Sequence, residues 1–583
     1  MKIIDNLKGR INIVLFFFSL CFSVIAGRAF YVQVVCGDWL SQKAANQYEK
    51  SLTVYGKRGT IYDTYHREMA ITLDVPSVAA YPRDMRLIKD EEYDEYSSNV
   101  ANALSNVLKV NYQDIHKRLT SNKSFVWIKR YISPKETNAV EKLALEGIGY
   151  VMEQSRFYPN KTIAAQVLGF TGMEGEGLEG VEFFYNDELK GEEGKLTLFR
   201  DALGRGFDVD SKELSHGNNI ILTIDRTIQF ITELAIEEAV NNCSAKSGIA
   251  IVMSPKTGAI LALANYPFFN PNTITSVDRH KSRNRAITDP FEPGSVMKIF
   301  TASGGLESGL CKPTTTFFCE NGAYPIGKHT VKDTHKHGTL NLQEIIKVSS
   351  NIGAIKIGET IGNQALYNTL KAFGFGSKTE IDCPGETSGL LYNYKKWARI
   401  EAATVAFGQG VSASALQLIT AASAIANGGI LMKPYLVRAI TDKDGRLLKT
   451  FEPKQKRRVI SEQTSKNMKM IMKTVTEPGG TGTSAAIEGF YVCGKTGTAQ
   501  KPDETGTYGR GKYISSFLGF VPMENPELTI FVIIDEPRGQ YYASIVAAPA
   551  FKKIAQATLN YLNVSPEITQ NNLAVSLESE VGG

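Results

Sequence analysis

The sequence predicts an α+β protein held to a membrane by one helix, and three observations predict it. An uncharged apolar run, INIVLFFFSLCFSVIAG, occupies residues 11–27. A strand–helix–hairpin series opens at Asn218 with NIILTID, TIQFITELAIEEAVNNC and GIAIVMSPKTGAILALANYP. A second hairpin, YISSFLGFVP with LTIFVIIDEP, comes near the C-terminus and leads into the helix APAFKKIAQATLNYL. Terminal strands and helices that pair around a long helical insert make an α+β or α/β domain. The chain is 583 residues long, too many for one core, so at least two domains are expected.

The elements follow in order. Lys2, Lys8 and Arg10 precede the apolar run against one acid, Asp5. The positive-inside rule makes residues 1–10 a cytoplasmic tail and 11–32 a transmembrane signal anchor, with the rest of the chain outside. A cleaved signal peptide ending near Val24-Ile25-Ala26 is the competing reading, although the run exceeds the usual apolar core of about 7–15 residues. Residues 33–217 mix short strands (GTIYD, SVAAYP), a helix with an acidic start (DEEYDEYSSNVANALSNVLKV) and a Gly/Glu-rich loop (MEGEGLEGVE). Nothing there reads as catalytic, and a spacer or docking domain is expected. Residues 218–563 form the second domain. In it Asp225 or Thr227 caps the first helix, and Pro255-Lys256-Thr257-Gly258 turns the first hairpin. Residues 564–583 are a polar, acidic, loose tail.

Composition excludes several classes. The net charge of +5 is scattered, so no basic stripe points to nucleic acid. Seven cysteines with no C-x-x-C spacing make neither a disulfide scaffold nor a zinc or redox motif. Cys311 and Cys319 lie close enough to pair outside the cytosol, or else are two separate core thiols. The stretch KHTVKDTHKHG holds His329, Asp333, His335 and His337. Strand alternation puts the last three on one face, which invites a metal reading. A closed site wants four defined ligands, so a polar loop near a cleft is the better reading.

One constellation carries chemistry. EPGSVMK places Lys298 three residues after Ser295, on the same helical face, and Ser295 is the only serine here with a lysine at that spacing. Pro293-Gly294 reads as a helix entry, where free N–H groups favour developing negative charge. A neutral lysine serves as a base where burial or nearby cations lower its pKa. Ser349 and Asn351 form an S-x-N 54 residues on, suited to proton transfer and to holding a substrate amide. The same tripeptide at Ser97-Ser98-Asn99 has no such neighbour and reads as helix surface. Lys495, Thr496, Gly497 and Thr498 lie on an alternating strand. Two hydroxyls there can bind a carboxylate, the glycine lets a substrate backbone pass, and the lysine reaches toward the serines. The amides of Ser295 and Thr498 are the natural oxyanion hole. Lys-Thr-Gly also occurs at Lys256-Thr257-Gly258, before Ser295 and at a turn, where backbone shape is the reason for it.

S-x-x-K, S-x-N and K-T-G in this order resemble penicillin-binding proteins and class A β-lactamases. NRAITDPFEPGSVMK, AFGQGVSASALQL, AIANGG, GKTGTAQK and YYASIVAAP, together with GKRGTIYD, RFYPN, AAQVLGFTG and GLEGVE, are similar to class B penicillin-binding proteins of the cell-division, FtsI-like type. The likeness runs from about Gly27 to Leu562. Glu292 stands where elongation-type relatives tend to have proline, and YYAS where Tyr-Tyr-Gly-Gly is usual. The resemblance implies a transpeptidase domain at 218–563, an antiparallel sheet flanked by helices, above an elongated non-catalytic pedestal of the dimerisation type at 33–217. It implies D,D-transpeptidase activity on peptidoglycan stem peptides during septal wall synthesis, through an acyl-enzyme on Ser295, with β-lactams as inhibitors. Lys298, Ser349, Asn351 and Lys495 are the implied catalytic partners; Thr496, Gly497 and Thr498 bind substrate. No cofactor or metal is implied. The implied partners are the plasma membrane through one helix and division proteins including a SEDS-family glycosyltransferase. A D,D-carboxypeptidase or β-lactamase-like hydrolase, and a scaffolding or penicillin-sensing division protein, are the alternatives.

Overall fold

The computed structural model describes residues 2–40, 49–89, 92–200, 206–208, 215–274, 280–502 and 508–568. The tail read at 564–583 lies outside the described residues beyond position 568. Helix α1 (Lys2–Phe30) runs into a π-turn at Tyr31–Val35, and the stretch Gly9–Val35 is long and apolar enough to cross a membrane.

The chain forms two compact units that interleave along the sequence. The first gathers Met1–Lys57, Val75–Glu153 and Gly191–His216. Its core is built by the helices Tyr93–Leu108 and Tyr112–Leu119, whose Val100, Leu104, Leu108, Ile115 and Leu119 pack with Val126 and Ile128. Lys109, at φ +56°, ends the first helix, and the Asn111 side chain caps the second by accepting from the Gln113 amide. The reading of Ser97-Ser98-Asn99 as helix surface holds for exposed Asn99 and fails for Ser97. Ser97 lies on the buried stripe and satisfies its hydroxyl on the Asp94 carbonyl one turn back.

The second unit gathers Arg58–Asp74, Gln154–Lys190 and Gly217–Gly583. Strand β1 (Asn219–Leu222) leads to α2 (Arg226–Asn242), capped by the Asp225 carboxylate on the Thr227 amide. Strands β2 (Ser247–Met253) and β3 (Ile260–Tyr266) form the predicted hairpin around Lys256-Thr257-Gly258. A 3-10 turn, Gly294–Met297, carries Ser295 into α3 (Lys298–Glu307). A small hairpin of β4 (Ala323–Ile326) and β5 (His329–Lys332) precedes α4 (Leu342–Val348) and α5 (Asn351–Ile361). Helix α6 (Ala415–Ala426) is buried all round. The chain closes with β6 (Cys493–Pro502), β7 (Tyr508–Val521), β8 (Leu528–Asp535), α7 (Ala543–Val546) and α8 (Ala548–Tyr561).

These strands make one antiparallel sheet in the order β3-β2-β8-β7-β6, so the Lys-Thr-Gly strand is its edge. Both faces are covered, which is why β2 and β8 read as unbroken apolar runs rather than alternating ones. On one face Ala250, Val252, Ile530 and Val532 pack under α2 and α8. On the other Ile249, Ile251, Phe531 and Ile533 pack under α3 and α6.

Within this unit a buried ion cluster joins segments far apart in sequence. Glu182 is fully buried and receives Arg58 Nε at 2.7 Å and Arg156 Nε at 2.6 Å. Arg58 also donates to the Glu182 carbonyl and to Asn186, and Arg156 to the Gly59 carbonyl. Burial pushes the Glu182 carboxyl up, but Arg156 and Arg58 outweigh it and hold it below its ordinary value. Removing one partner of a buried ion pair leaves the others uncompensated. Glu182→Ala is therefore expected to lower stability by about 3–5 kcal/mol in chemical denaturation. A loss under about 1 kcal/mol would show that the cluster does not hold these segments together.

Candidate active site

The site forms where the nucleophile turn, the α4–α5 junction and edge strand β6 meet. A cleft of about 470 Å³ opens there, lined by Ser295, Ser349, Asn351, Thr496 and Thr498 together with Gln409, Thr481, Tyr541 and Tyr542. Among the described residues no carboxylate lines it. Lys298 and Lys495 lie beneath, exposed by 1% and 0%.

Both amines converge on Ser349. Lys298 Nζ donates to the Ser349 carbonyl at 2.6 Å and lies 3.2 Å from Ser349 Oγ. Lys495 Nζ donates to the same Oγ at 2.7 Å and to the Thr496 carbonyl at 3.1 Å. Burial lowers the Lys298 pKa to about 7, against the opposing pull of Asp333. Burial and then the neighbouring Lys298 hold Lys495 well below its ordinary value. Two ammonium ions this close in a dry pocket repel, so the pair favours a state with a neutral amine. Ser295 is partly exposed, and among the described residues its hydroxyl has no hydrogen-bond partner.

Local structure explains the S-x-N geometry. Ser349 sits in the left-handed region at φ +64° and ends α4, which turns its carbonyl toward Lys298. Ser350 begins α5 as its N-cap, accepting from the Gly353 amide at 2.9 Å. Asn351 is the first helical residue and donates its side chain to the Lys332 carbonyl at 3.0 Å. Asp333 locks this junction. Its Oδ2 accepts from Ser350 Oγ at 2.6 Å, and its Oδ1 from the amides of Asn351 and Ile352 at 2.5 and 3.1 Å.

The sequence had grouped Asp333 with His335 and His337 on a strand face. Strand β5 ends at Lys332, and both Asp333 oxygens are taken by the start of α5. Among the described residues no group of His, Cys, Asp and Glu is arranged to hold a metal. His335 and Thr334 line the cleft instead. Cys311 and Cys319 are separate buried thiols.

Strand β6 lies against the Ser295 turn because Gly497 has no side chain. A Cβ there would stand 2.8 Å from Val296 Cγ2 and 2.4 Å from Ser516 Oγ. Gly408, at φ +94°, is as tightly constrained: its Cβ would stand 2.1 Å from the Gly294 carbonyl oxygen. Glu292 holds the same loop by accepting from the Gly410 amide at 2.9 Å. Thr481, unremarked in the sequence, shares a 2.8 Å hydrogen bond with Thr496. Its only local signal was the Gly-rich stretch PGGTGT.

Comparison with known proteins agrees with this arrangement. Residues 248–556 match the family model "Penicillin binding protein transpeptidase domain", and residues 53–222 match "Penicillin-binding Protein dimerisation domain". The chain is 36% identical over 564 residues to the probable peptidoglycan D,D-transpeptidase PenA of Neisseria meningitidis, covering 96% of this chain and 94% of that one. It is 33% identical to stage V sporulation protein D of Bacillus subtilis, covering 97% and 88%. It is 31% identical to the peptidoglycan D,D-transpeptidase FtsI of Escherichia coli, covering 94% and 91%. Among solved structures, a peptidoglycan synthetase from Bifidobacterium adolescentis superposes with a TM-score of 0.70 at 26% identity, over 90% of this chain and 98% of that one. Penicillin binding protein 3 of Mycobacterium tuberculosis, complexed with aztreonam, does so with 0.69 at 26%, over 89% and 98%. The chain belongs to the FtsI-like penicillin-binding protein transpeptidases, with a dimerisation-type domain preceding the transpeptidase domain.

Proposed function

We infer that the protein is a serine D-Ala-D-Ala transpeptidase that cross-links peptidoglycan stem peptides and is acylated by β-lactams. The observation that carries this reading is the convergence of two buried lysines on Ser349 beside the cleft that exposes Ser295. Ser295 is the nucleophile. Lys298, neutral at a pKa of about 7, takes its proton as Oγ attacks the penultimate D-alanine carbonyl. The amides of Ser295 and Thr498 receive the developing oxyanion. Ser349, bonded to both amines, relays the proton to the leaving D-alanine nitrogen. Thr496 and Thr498 hold the terminal carboxylate with their hydroxyls. Asn351 orients the stem amide. An amine of a second stem then attacks the ester carbonyl, forms the cross-link and frees Ser295.

Among the described residues one helix, Gly9–Val35, is long and apolar enough to cross a membrane, and it fits a membrane anchor. We propose the finer placement as well: N-terminus in the cytoplasm, residues 218–563 as the transpeptidase domain outside it, residues 33–217 as the pedestal, and action at the division septum. A SEDS-family glycosyltransferase among other division proteins is the proposed partner. Resemblance to FtsI-type relatives supports the septal reading.

The site is tested by substitution and by product analysis. Ser295→Ala should form no covalent adduct with labelled penicillin, and wild-type enzyme should yield dimeric cross-linked products from nascent glycan. Trimmed monomers alone, or rapid multiple-turnover release of hydrolysed penicillin, would favour the hydrolase alternatives. Lys495→Ala should slow acylation by more than about 100-fold. Lys256→Ala should change it less than about twofold, because Lys256 is 42% exposed and pairs only with Glu527 at the surface. Equal losses would show that burial is not what separates the two lysines.

A base must be deprotonated to act, so the acylation rate should rise with pH through about 7 and fall about tenfold per unit well below it. Asp333→Ala should slow acylation by about 10- to 100-fold, the worth of hydrogen bonds to a charged group. It should also move the pH midpoint downward, because the Asp333 charge opposes the lowering of Lys298. An unmoved midpoint would reduce Asp333 to a structural cap.

A further inference from the structure

The hairpin whose return lines the cleft beside Asn351 carries a net excess of positive charge. The β4–β5 hairpin and its return, residues 328–337, read KHTVKDTHKH. Lys328 sits at the two-residue tip after Gly327, Lys332 ends β5 on its solvent face, and Lys336 lies on the return. All three are exposed, and among the described residues none has an acidic partner. The one acid of the stretch, Asp333, is consumed by the start of α5. Acids on the neighbouring helix and turn are also engaged, Glu320 with Lys356 and Glu359 with the Tyr324 hydroxyl.

This surface is continuous with the reaction site. The Lys332 carbonyl holds the Asn351 side chain at 3.0 Å, and Thr334 and His335 form part of the cleft wall. Among the described residues no carboxylate lines the cleft. The hairpin itself is firmly seated: Ile326 is buried against Ile355 and Phe407, with Tyr324 and Val331 beside it. Three exposed lysines on a rigid support outnumber Asp333, the one acid of the stretch, and set up a net positive field beside Asn351.

We propose that this hairpin is a docking surface for the acidic portion of the stem peptide, the carboxylates that lie upstream of the D-Ala-D-Ala end. The proposal rests on the transpeptidase reading and adds a specificity determinant to it. The Thr496–Thr498 strand takes the terminal carboxylate, and Lys328, Lys332 and Lys336 take the more distant ones, fixing the direction in which the stem lies across Ser295. Contacts of this kind are solvent-screened, so they act on encounter and KM rather than on the chemical step.

The test compares soluble stem pentapeptides ending in D-Ala-D-Ala, one with free internal carboxylates and one with those carboxylates amidated. The full chain is used, and the double variant Lys328→Gln/Lys336→Gln leaves Lys332 and its contact to Asn351 intact. Wild type should show a KM about fivefold lower for the acidic stem at low salt, a preference that vanishes near 1 M salt. The double variant should lose the preference with kcat and the thermal midpoint unchanged, and Lys328→Arg/Lys336→Arg should restore it. A variant that keeps the preference, or that weakens both stems equally, overturns the docking surface. If wild type processes neither stem and forms no penicillin adduct, the transpeptidase reading itself fails, and the proposal falls with it.

Discussion

The site depends on keeping two amines buried side by side. Moving an ammonium out of water is expensive, and a second beside it adds repulsion. Lys298 and Lys495 tolerate this because one proton can be given up and because Ser349 offers each of them an acceptor. Chemistry follows from the same constraint. A lysine in water is protonated at neutral pH and useless as a base; burial brings Lys298 to about 7 and makes the neutral amine available. Ser349 supplies this acceptor only in the left-handed conformation that breaks α4 from α5, a strained geometry for a non-glycine residue. Asp333 makes the break stable by taking three donors from the start of α5.

The sheet supplies the second half of the pocket. Lys495 is on the edge strand, so its partners on one side are helices and turns rather than another strand. An edge is normally a liability, because it offers unpaired backbone groups to any passing chain. Here the exposed edge faces the cleft, where an extended substrate peptide can use it. Gly497 brings that edge against the Ser295 turn, and Gly408 with Glu292 packs the loop behind it. The Ser295 turn is thus held by rigid elements on several sides while Ser295 itself stays accessible from the cleft.

Much of this was legible in the sequence. The first hairpin, the Asp225 cap, the closing hairpin and the terminal helix follow from local pattern, since apolar runs, turn residues and caps act over a few positions. The S-x-x-K, S-x-N and Lys-Thr-Gly residues that the fold gathers around one cleft were legible through spacing and order. What was not legible is long-range. Asp333 read as a neighbour of histidines because nothing local shows that its oxygens serve residues 17 to 19 positions on. Glu182 read as part of an acidic loop, yet it is the buried centre of two arginines, 124 residues from Arg58 and 26 from Arg156. The interleaving of the two compact units has the same cause: ion pairs and parallel pairing, such as Ile61 with Ile220, link segments whose sequences carry no mark of each other.

The repeated Lys-Thr-Gly shows why local pattern reaches its limit where it does. Both copies have the same three side chains and the same intrinsic chemistry. At Gly258 the glycine is there for conformation, with φ +85° in a tight turn. At Gly497 it is there for space, because the neighbouring turn leaves no room for a Cβ. Lys256 stands at the surface and pairs with Glu527 in a weak, solvent-screened contact. Lys495 is shut away from water beside a second lysine, so its proton affinity falls and its charge acts at close range. Identity of sequence fixes what a residue is able to do; burial and neighbours decide which of those things it does.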